Sequence, residues 1–283
     1  MDIDFDKYLY STGTHYISNS GKDENSGTKG GKAGDQTGHE WELKPWYNRP
    51  WTVILRYPDQ SVALTIAKLS IAAALNDKIG YDQSQRTTYW KQLQAANYDP
   101  SAITTACEED CTAGVSANVK AAGHIHGIKK LEDLPICTSR NMRKEFTAAG
   151  FIALTDRKYL SGPNYLLPGD VLLYENHHAA ADVTLGSKVR DQWFPENQPD
   201  KPVTPDTPDT PDDDPDEWDG NYAVITGSSV NIRPLPTTDC EPYSSAKKGT
   251  RLPCFGETFD EEWYAVIYNG KTGWVSAKYA EVE

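Results

Sequence analysis

The sequence lacks an excess of basic charge, a long apolar run and a dense set of cysteines. Its 28 Lys and Arg stand against 41 Asp and Glu, a net charge of −13. Such a balance argues against generic binding to nucleic acid or to an anionic membrane, both of which need a basic face. No window approaches the roughly eighteen uncharged apolar residues of a membrane span. The richest stretch, Val62 to Leu75, carries Lys68 and is too short. The opening Met1-Asp2-Ile3-Asp4-Phe5-Asp6 has neither the basic nor the apolar segment of a secretory signal, so a soluble protein made in the cytoplasm is expected. Cys107, Cys111, Cys137, Cys240 and Cys254 are too few and too scattered for a disulfide framework, and their odd number leaves at least one thiol over. A phosphate loop is also missing: Gly27-Thr-Lys-Gly-Gly-Lys-Ala33 has the wrong spacing and no strand before it, and reads as a surface loop.

What is present is material for packed interiors. Of 283 residues, 38% are hydrophobic, and eight Trp with sixteen Tyr make a wholly disordered chain untenable. The length allows two domains. The clearest boundary runs from Pro195 to Asp219, a Pro-Asp-Thr repeat almost without aliphatic residues. Repeated Pro and Asp form neither helix nor sheet interior, so this is read as a stiff solvated linker. It holds ten acidic residues and one basic, a balance of −9, leaving −4 for everything else. The acidity of the chain is therefore mostly a property of the tether.

After the linker, short apolar runs at Tyr222, Val230, Trp263 and Gly273 alternate with turn signals, and Asn269-Gly270 is a strong two-residue hairpin signal. This tail reads as a small all-β barrel with a binding role. Before the linker, Ser11 to Pro58 is polar and Gly-rich, with aromatic clusters at Trp41, Trp46-Tyr47 and Trp51. Helical spacing follows at Ser61 to Asn76 and Gln83 to Ala96. A third helix is expected from Asp110, a good N-cap, to Gly123, a good terminator, and a fourth over Ser139 to Ala149. From Asp170 the period becomes two: a strand through Tyr174, another from His177 to Leu185, and a third from Lys188. Helices followed by an antiparallel meander make an α+β layout.

Cys111 falls in the first turn of the third helix, where unpaired N–H groups favour an anion and lower a thiol's pKa. His177-His178 opens a strand downstream. A thiol at a helix start facing an imidazole on a strand is the arrangement of a thiol hydrolase. A rival reading pairs Cys107 and Cys111 with His124 and His126 as a zinc site. One residue between the two histidines is too few to put both on one helix face, and Gly123 and Gly127 indicate a turn. We therefore expect no metal and no cofactor. Cys107 and Cys137 are read as buried structural thiols, and the sequence leaves open whether Cys240 and Cys254 pair.

These residues carry a resemblance. Glu109-Asp-Cys-Thr-Ala-Gly-Val115 resembles the Asp-Cys-Ser-Gly-Leu/Val nucleophile motif of the NlpC/P60 cysteine peptidases, papain-like peptidoglycan hydrolases. Pro168-Gly-Asp-Val-Leu-Leu-Tyr174 with His178-Ala-Ala180 is similar to that family's Pro-Gly-Asp strand and His segment. Gly31-Lys-Ala-Gly-Asp-Gln-Thr-Gly38 and Trp46-Tyr-Asn-Arg-Pro-Trp51 look like phage and prophage lysins of Gram-positive hosts. Val230-Asn-Ile-Arg233, Lys248-Gly249, Trp263-Tyr264 and Gly270-Lys-Thr-Gly-Trp-Val275 resemble a bacterial SH3 (SH3b) domain. The likenesses cover roughly residues 10–193 and 221–281, with Thr112-Ala113 a mild departure from Ser-Gly.

The resemblance implies an α+β papain-like domain over residues 1–194, the linker over 195–219, and an all-β SH3b barrel over 220–283. It implies Cys111 as nucleophile and His178 as general base, with His177 in a position usually held by Gly. A third polar residue on the following strand would orient the imidazole, which selects Asp191, ahead of Gln192. Asp110, His177, Trp46 and Trp51 are the candidate substrate contacts, although the two tryptophans equally suit a core. The implied function is an endolysin-like hydrolase that cuts an amide in the stem peptide of peptidoglycan and is held on the wall by the SH3b domain. The alternatives are an N-acetylmuramoyl-L-alanine amidase with the same Cys–His pair, a non-catalytic wall-binding protein, and a zinc-stabilised interaction protein. Peptidoglycan is the expected partner, without nucleic acid or membrane. A chain without a leader suits release through a holin.

Overall fold

Two aspartates start the two long helices. In the computed structural model, which describes residues 3–190, 221–233, 236, 238, 242–257, 262–268 and 271–283, Asp59 accepts the N–H groups of Ser61 (2.9 Å) and Val62 (3.1 Å). Asp110 does the same for Thr112 (3.0 Å) and Ala113 (2.9 Å). Each such cap contributes about 1 kcal/mol.

The N-terminal part runs α1 (Asp6–Leu9), β1 (Tyr16–Ser20), β2 (Trp41–Pro45), β3 (Val53–Arg56), α2 (Gln60–Ala74), β4 (Ile79–Tyr81), α3 (Thr88–Ala95), β5 (Cys107–Glu109), α4 (Cys111–Ile125), α5 (Lys129–Glu132), α6 (Met142–Ala148), β6 (Ile152–Leu154), α7 (Arg157–Leu160), β7 (Val171–Tyr174) and β8 (His178–Asp182). Six strands form one sheet in the order β2-β1-β8-β7-β3-β6, with every pair antiparallel. The parallel pair β4-β5 stands apart and leads straight into α4. Alternation along the strands gives the sheet two apolar faces. Val53, Leu55, Val171, Leu173, Ala179 and Ala181 pack against Ile66 of α2, Val119 of α4 and Phe146 of α6. On the other face Ile17, Ile54, Leu172 and Ala180 share a cluster with Trp51, Tyr159 and Leu166, and with Ala265 and Trp274 of the C-terminal barrel. The domain is mixed α/β.

Several expectations need correction. The strand beside β8 is not a third meander strand from Lys188: residues 188–190 are turn and helical, and 191–193 lie outside the described residues. Its neighbour is β1, from the polar opening stretch. Three of the six strands precede α2 and every later helix, so the layout is not helices first and sheet second. Helix α4 passes through Gly123 and is followed by Gly127, whose φ of 67° is the true terminating turn. Gly123 is small for another reason: a Cβ there would sit 2.5 Å from the Glu132 nitrogen and from Leu131 Cβ, where α5 crosses the helix. Helix α3 starts five residues later than the spacing suggested, after a turn over Gln85 to Thr88.

The C-terminal part is all-β, as expected: β9 (Tyr222–Ile225), β10 (Ser229–Ile232), β11 (Ser244–Lys247), β12 (Arg251–Glu257), β13 (Trp263–Tyr268), β14 (Lys271–Ser276) and β15 (Ala280–Val282). Five strands run β14-β13-β12-β9-β15, and β10 pairs with β11, around Ile225, Ile232, Leu252, Val266 and Val275. Tyr268 pairs with Lys271, the register that a two-residue hairpin requires, while Asn269 and Gly270 lie outside the described residues. So do the linker, Cys240 and Asp191. Among the described residues no helix is long and apolar enough to cross a membrane.

Candidate active site

Cys111 is the first residue of α4 and is half-buried. The Asp110 cap takes the next two N–H groups and leaves that of Cys111 outside it. Asp110 is itself fixed: its second oxygen receives Arg86 Nε, and Arg86 Nη2 reaches Asp110 Oδ1 (3.0 Å), Thr112 Oγ1 (3.0 Å) and the Cys137 carbonyl (2.6 Å). Burial, then the Asp110 charge, pushes the Cys111 thiol up to about 12, and the N–H groups of Ala179 and Thr112 only partly oppose this. Burial thus outweighs the helix start, against the expectation of a lowered thiol pKa.

Ala179 follows His178 on β8, so its N–H ties the sulfur to the strand that carries the imidazole. His178 is buried, and Trp51 stacks on it with ring centroids 6.0 Å apart and planes at 29°. Its Nε2 lies 2.9 Å from Asn19 Oδ1 on the neighbouring strand β1. Burial, with Arg49 and Lys44 adding positive charge, pushes the imidazole down to about 3. Burial therefore favours the neutral form of both the Cys111 thiol and the His178 imidazole.

Glu109 is fully buried between Gly114 N–H (3.1 Å) and the Ser20 hydroxyl, and burial pushes its carboxyl well above the ordinary carboxylate range. It links β1, one residue past Asn19, to the second turn of α4. The same strand β8 ends in Asp182, which burial pushes up to about 7 despite His15 Nε2 at 2.6 Å. Asp170 of the Pro-Gly-Asp turn is buried and clasped by Arg56 through Nε (2.8 Å) and Nη2 (2.6 Å).

Residues 17–189, more than half of the chain, match the endolysin-like domain family. The chain belongs to that family. Residues 228–281 match a bacterial SH3 domain. No curated protein matches the chain. An endolysin-like domain followed by a bacterial SH3 domain makes this an endolysin-like cell-wall hydrolase with a wall-binding module.

Within the endolysin-like domain the remaining candidates fall as follows. His177 is exposed and stacks on Tyr174 at 4.2 Å. Trp51 is 4% exposed and so belongs to the core as well as to the site, while Trp46 is half-buried against the same cluster. Asp110 is committed to Arg86 and the helix cap. Cys107 is buried with its sulfur 3.6 Å from the Lys78 carbonyl, His124 stacks on Tyr98 at 3.9 Å, and His126 reaches Thr65 Oγ1 at 2.8 Å. Their partners lie in different directions, and among the described residues no group of three His, Cys, Asp or Glu can hold a metal ion. Sequence reasoning missed Asn19, because it looked for the orienting residue after His178. The available signal was Ser18-Asn19-Ser20, three polar residues that prove buried at the end of a strand exposed in part only at Tyr16.

Proposed function

We propose that the endolysin-like domain cuts an amide bond in the stem peptide of peptidoglycan by Cys111–His178 thiol catalysis. The observation that carries this reading is the hydrogen bond from His178 Nε2 to Asn19 Oδ1, beside a sulfur held by the next N–H along the strand. With Nε2 donating to Asn19, Nδ1 is left as the base. It takes the Cys111 proton as sulfur attacks the amide carbonyl, so no preformed ion pair is needed. The tetrahedral oxyanion is met by the Cys111 N–H that the Asp110 cap leaves over. When the C–N bond breaks, the imidazolium returns its proton to the leaving amine. Water then attacks the thioester carbonyl, His178 takes its proton, and the thiol is restored.

Asn19 takes the orienting role that the sequence gives to Asp191. Trp51 shields the His178–Asn19 bond from water, and His177 and Trp46 wall the substrate groove. Asp110 contributes by fixing the helix start. Residues 1–194 and 220–283 act as two modules joined by 195–219, so that a weakly bound wall domain raises the local enzyme concentration on a polymeric substrate.

The test is digestion of purified Gram-positive peptidoglycan by wild type and Cys111→Ala, with mass spectrometry of the new termini. Release by the wild type alone is expected. Equal release by both proteins refutes the thiol mechanism, and no release by either favours a wall-binding protein. New amino termini on stem-peptide residues support an endopeptidase, whereas free L-alanine amino termini beside bare muramic acid support the amidase.

A further inference from the structure

A general base at Nδ1 of His178 needs the ring proton on Nε2, and an isolated neutral imidazole carries it on either nitrogen. Three successive hydrogen bonds remove that freedom. Arg49 Nη1 donates to Tyr47 Oη over 3.1 Å. A guanidinium has donors only, so the phenol oxygen is the acceptor there. Its own proton is directed to Asn19 Oδ1, 3.0 Å away. Asn19 accordingly turns its carbonyl oxygen, not its NH2, toward His178 Nε2, and a carbonyl oxygen at 2.9 Å accepts only from a protonated nitrogen. Without the phenol, the Asn19 amide is free to rotate by half a turn and offer NH2. That orientation selects the tautomer with its proton on Nδ1, which cannot act as the base.

The packing keeps this chain of bonds in place. Tyr47 leans on Trp51 with centroids 6.0 Å apart, Trp51 stacks on His178, and the Trp51 backbone N–H closes a 2.6 Å bond to the Arg49 carbonyl. The Arg49 guanidinium lies 6.0 Å from the Tyr174 ring, and Lys44 Nζ lies 5.6 Å from that of Tyr47.

We propose that Tyr47 and Arg49 are positioning residues that fix the tautomer of His178 through Asn19. The proposal rests on the Cys111–His178 reading, but its first readout does not. The full chain, labelled with ¹⁵N-histidine, is examined by NMR at neutral pH, where the shift of each ring nitrogen reports whether it carries a proton. His178, one of six histidines, is assigned by difference from His178→Gln. Nε2 protonated and Nδ1 bare is the wild-type expectation. Tyr47→Phe gives a mixture of tautomers, with kcat on peptidoglycan down about tenfold and KM within about twofold, the pattern of a lost transition-state contribution rather than lost binding. Arg49→Met frees the phenol proton to turn and gives the same mixture to a smaller degree. A wild-type ring protonated on Nδ1 overturns the proposal, and so does an unchanged tautomer in Tyr47→Phe. If that variant does not fold, an unchanged tautomer in the half-buried Arg49→Met overturns it equally. A tautomer that shifts while cleavage persists in Cys111→Ala upholds the relay and overturns only the thiol mechanism.

Discussion

Replacing Arg56 by Met asks how far the Pro-Gly-Asp turn depends on one buried ion pair. Arg56 and Asp170 side chains are 10% and 1% exposed, joined by bonds of 2.8 and 2.6 Å, and Arg56 also donates to the Tyr165 carbonyl at 2.8 Å. Methionine fills much of the same volume without the charge. It strands the Asp170 carboxylate with only the Leu167 N–H (2.9 Å) as donor, near the buried Asp182. Removing one partner of a buried pair costs about 3–5 kcal/mol, because the other charge is left uncompensated. At about 2–4 °C per kcal/mol for a domain of this size, the Tm of the endolysin-like domain should fall by roughly 6–20 °C at pH 7. Arg56→Met/Asp170→Leu, which removes both charges, should lose less than the two single changes together. Scanning calorimetry of the full chain at pH 7, following the transition of this domain, makes the comparison. A loss below about 1 kcal/mol, or a double variant that loses as much as the two single changes together, refutes the reasoning.

Two further predictions concern the same sheet. Burial raises the Asp182 carboxyl from 3.8 to about 7, so the native state keeps a proton that the unfolded chain releases. That contribution to stability is complete below about pH 4 and is lost as pH rises to about 7, at most about 4 kcal/mol by linkage. Asp182→Asn should therefore gain on the wild type in Tm as pH rises from 4 to 7, and a constant Tm difference would falsify the assignment. Gly169 has φ 94°, and a Cβ there would lie 2.2 Å from the Ala63 carbonyl oxygen, whereas Gly38 has φ 72° and open space. Gly169→Ala should cost about 3 kcal/mol and Gly38→Ala about 1 kcal/mol in chemical denaturation, and equal losses would show that the close approach to α2 does not matter.

The parts of the fold legible in the sequence are those where a local signal and the tertiary contact agree. Helices α2 and α4 have aspartate caps and apolar spacing, and β7 and β8 are short buried runs on either side of the Glu175-Asn176 turn. Strand β1 offers little of this: Ile17 is its one aliphatic residue. Its burial is satisfied by polar bonds that no pattern announces, such as Ser18 Oγ to the Ser70 carbonyl (2.9 Å) and Trp41 Nε1 to Ser18 (2.7 Å). Gly123 was misread because a glycine needed for close helix packing looks the same as one needed for positive φ. The small residues after His178 fall on both faces of the sheet: Ala179 on the face where α4 packs and Ala180 on the other. The contacts of Asn19, Tyr47 and Arg49, on which their proposed roles rest, were not legible, since they exist only once β1 lies beside β8.

That adjacency has a consequence for the order in which the molecule comes into being. Asn19 and His178 are 159 residues apart in the chain yet share a hydrogen bond. The segments outside them are stitched together as well: Leu185 N–H binds the Leu9 carbonyl at 2.8 Å, and Thr184 Oγ1 binds that of Tyr8 at 2.7 Å. A ribosome delivers the thiol of Cys111 long before it delivers the strand bearing the imidazole. On the proposed mechanism, a nascent chain that has passed Cys111 but not reached β8 carries a sulfur with no base to activate it. Synthesis of β8 is then the step that arms the domain.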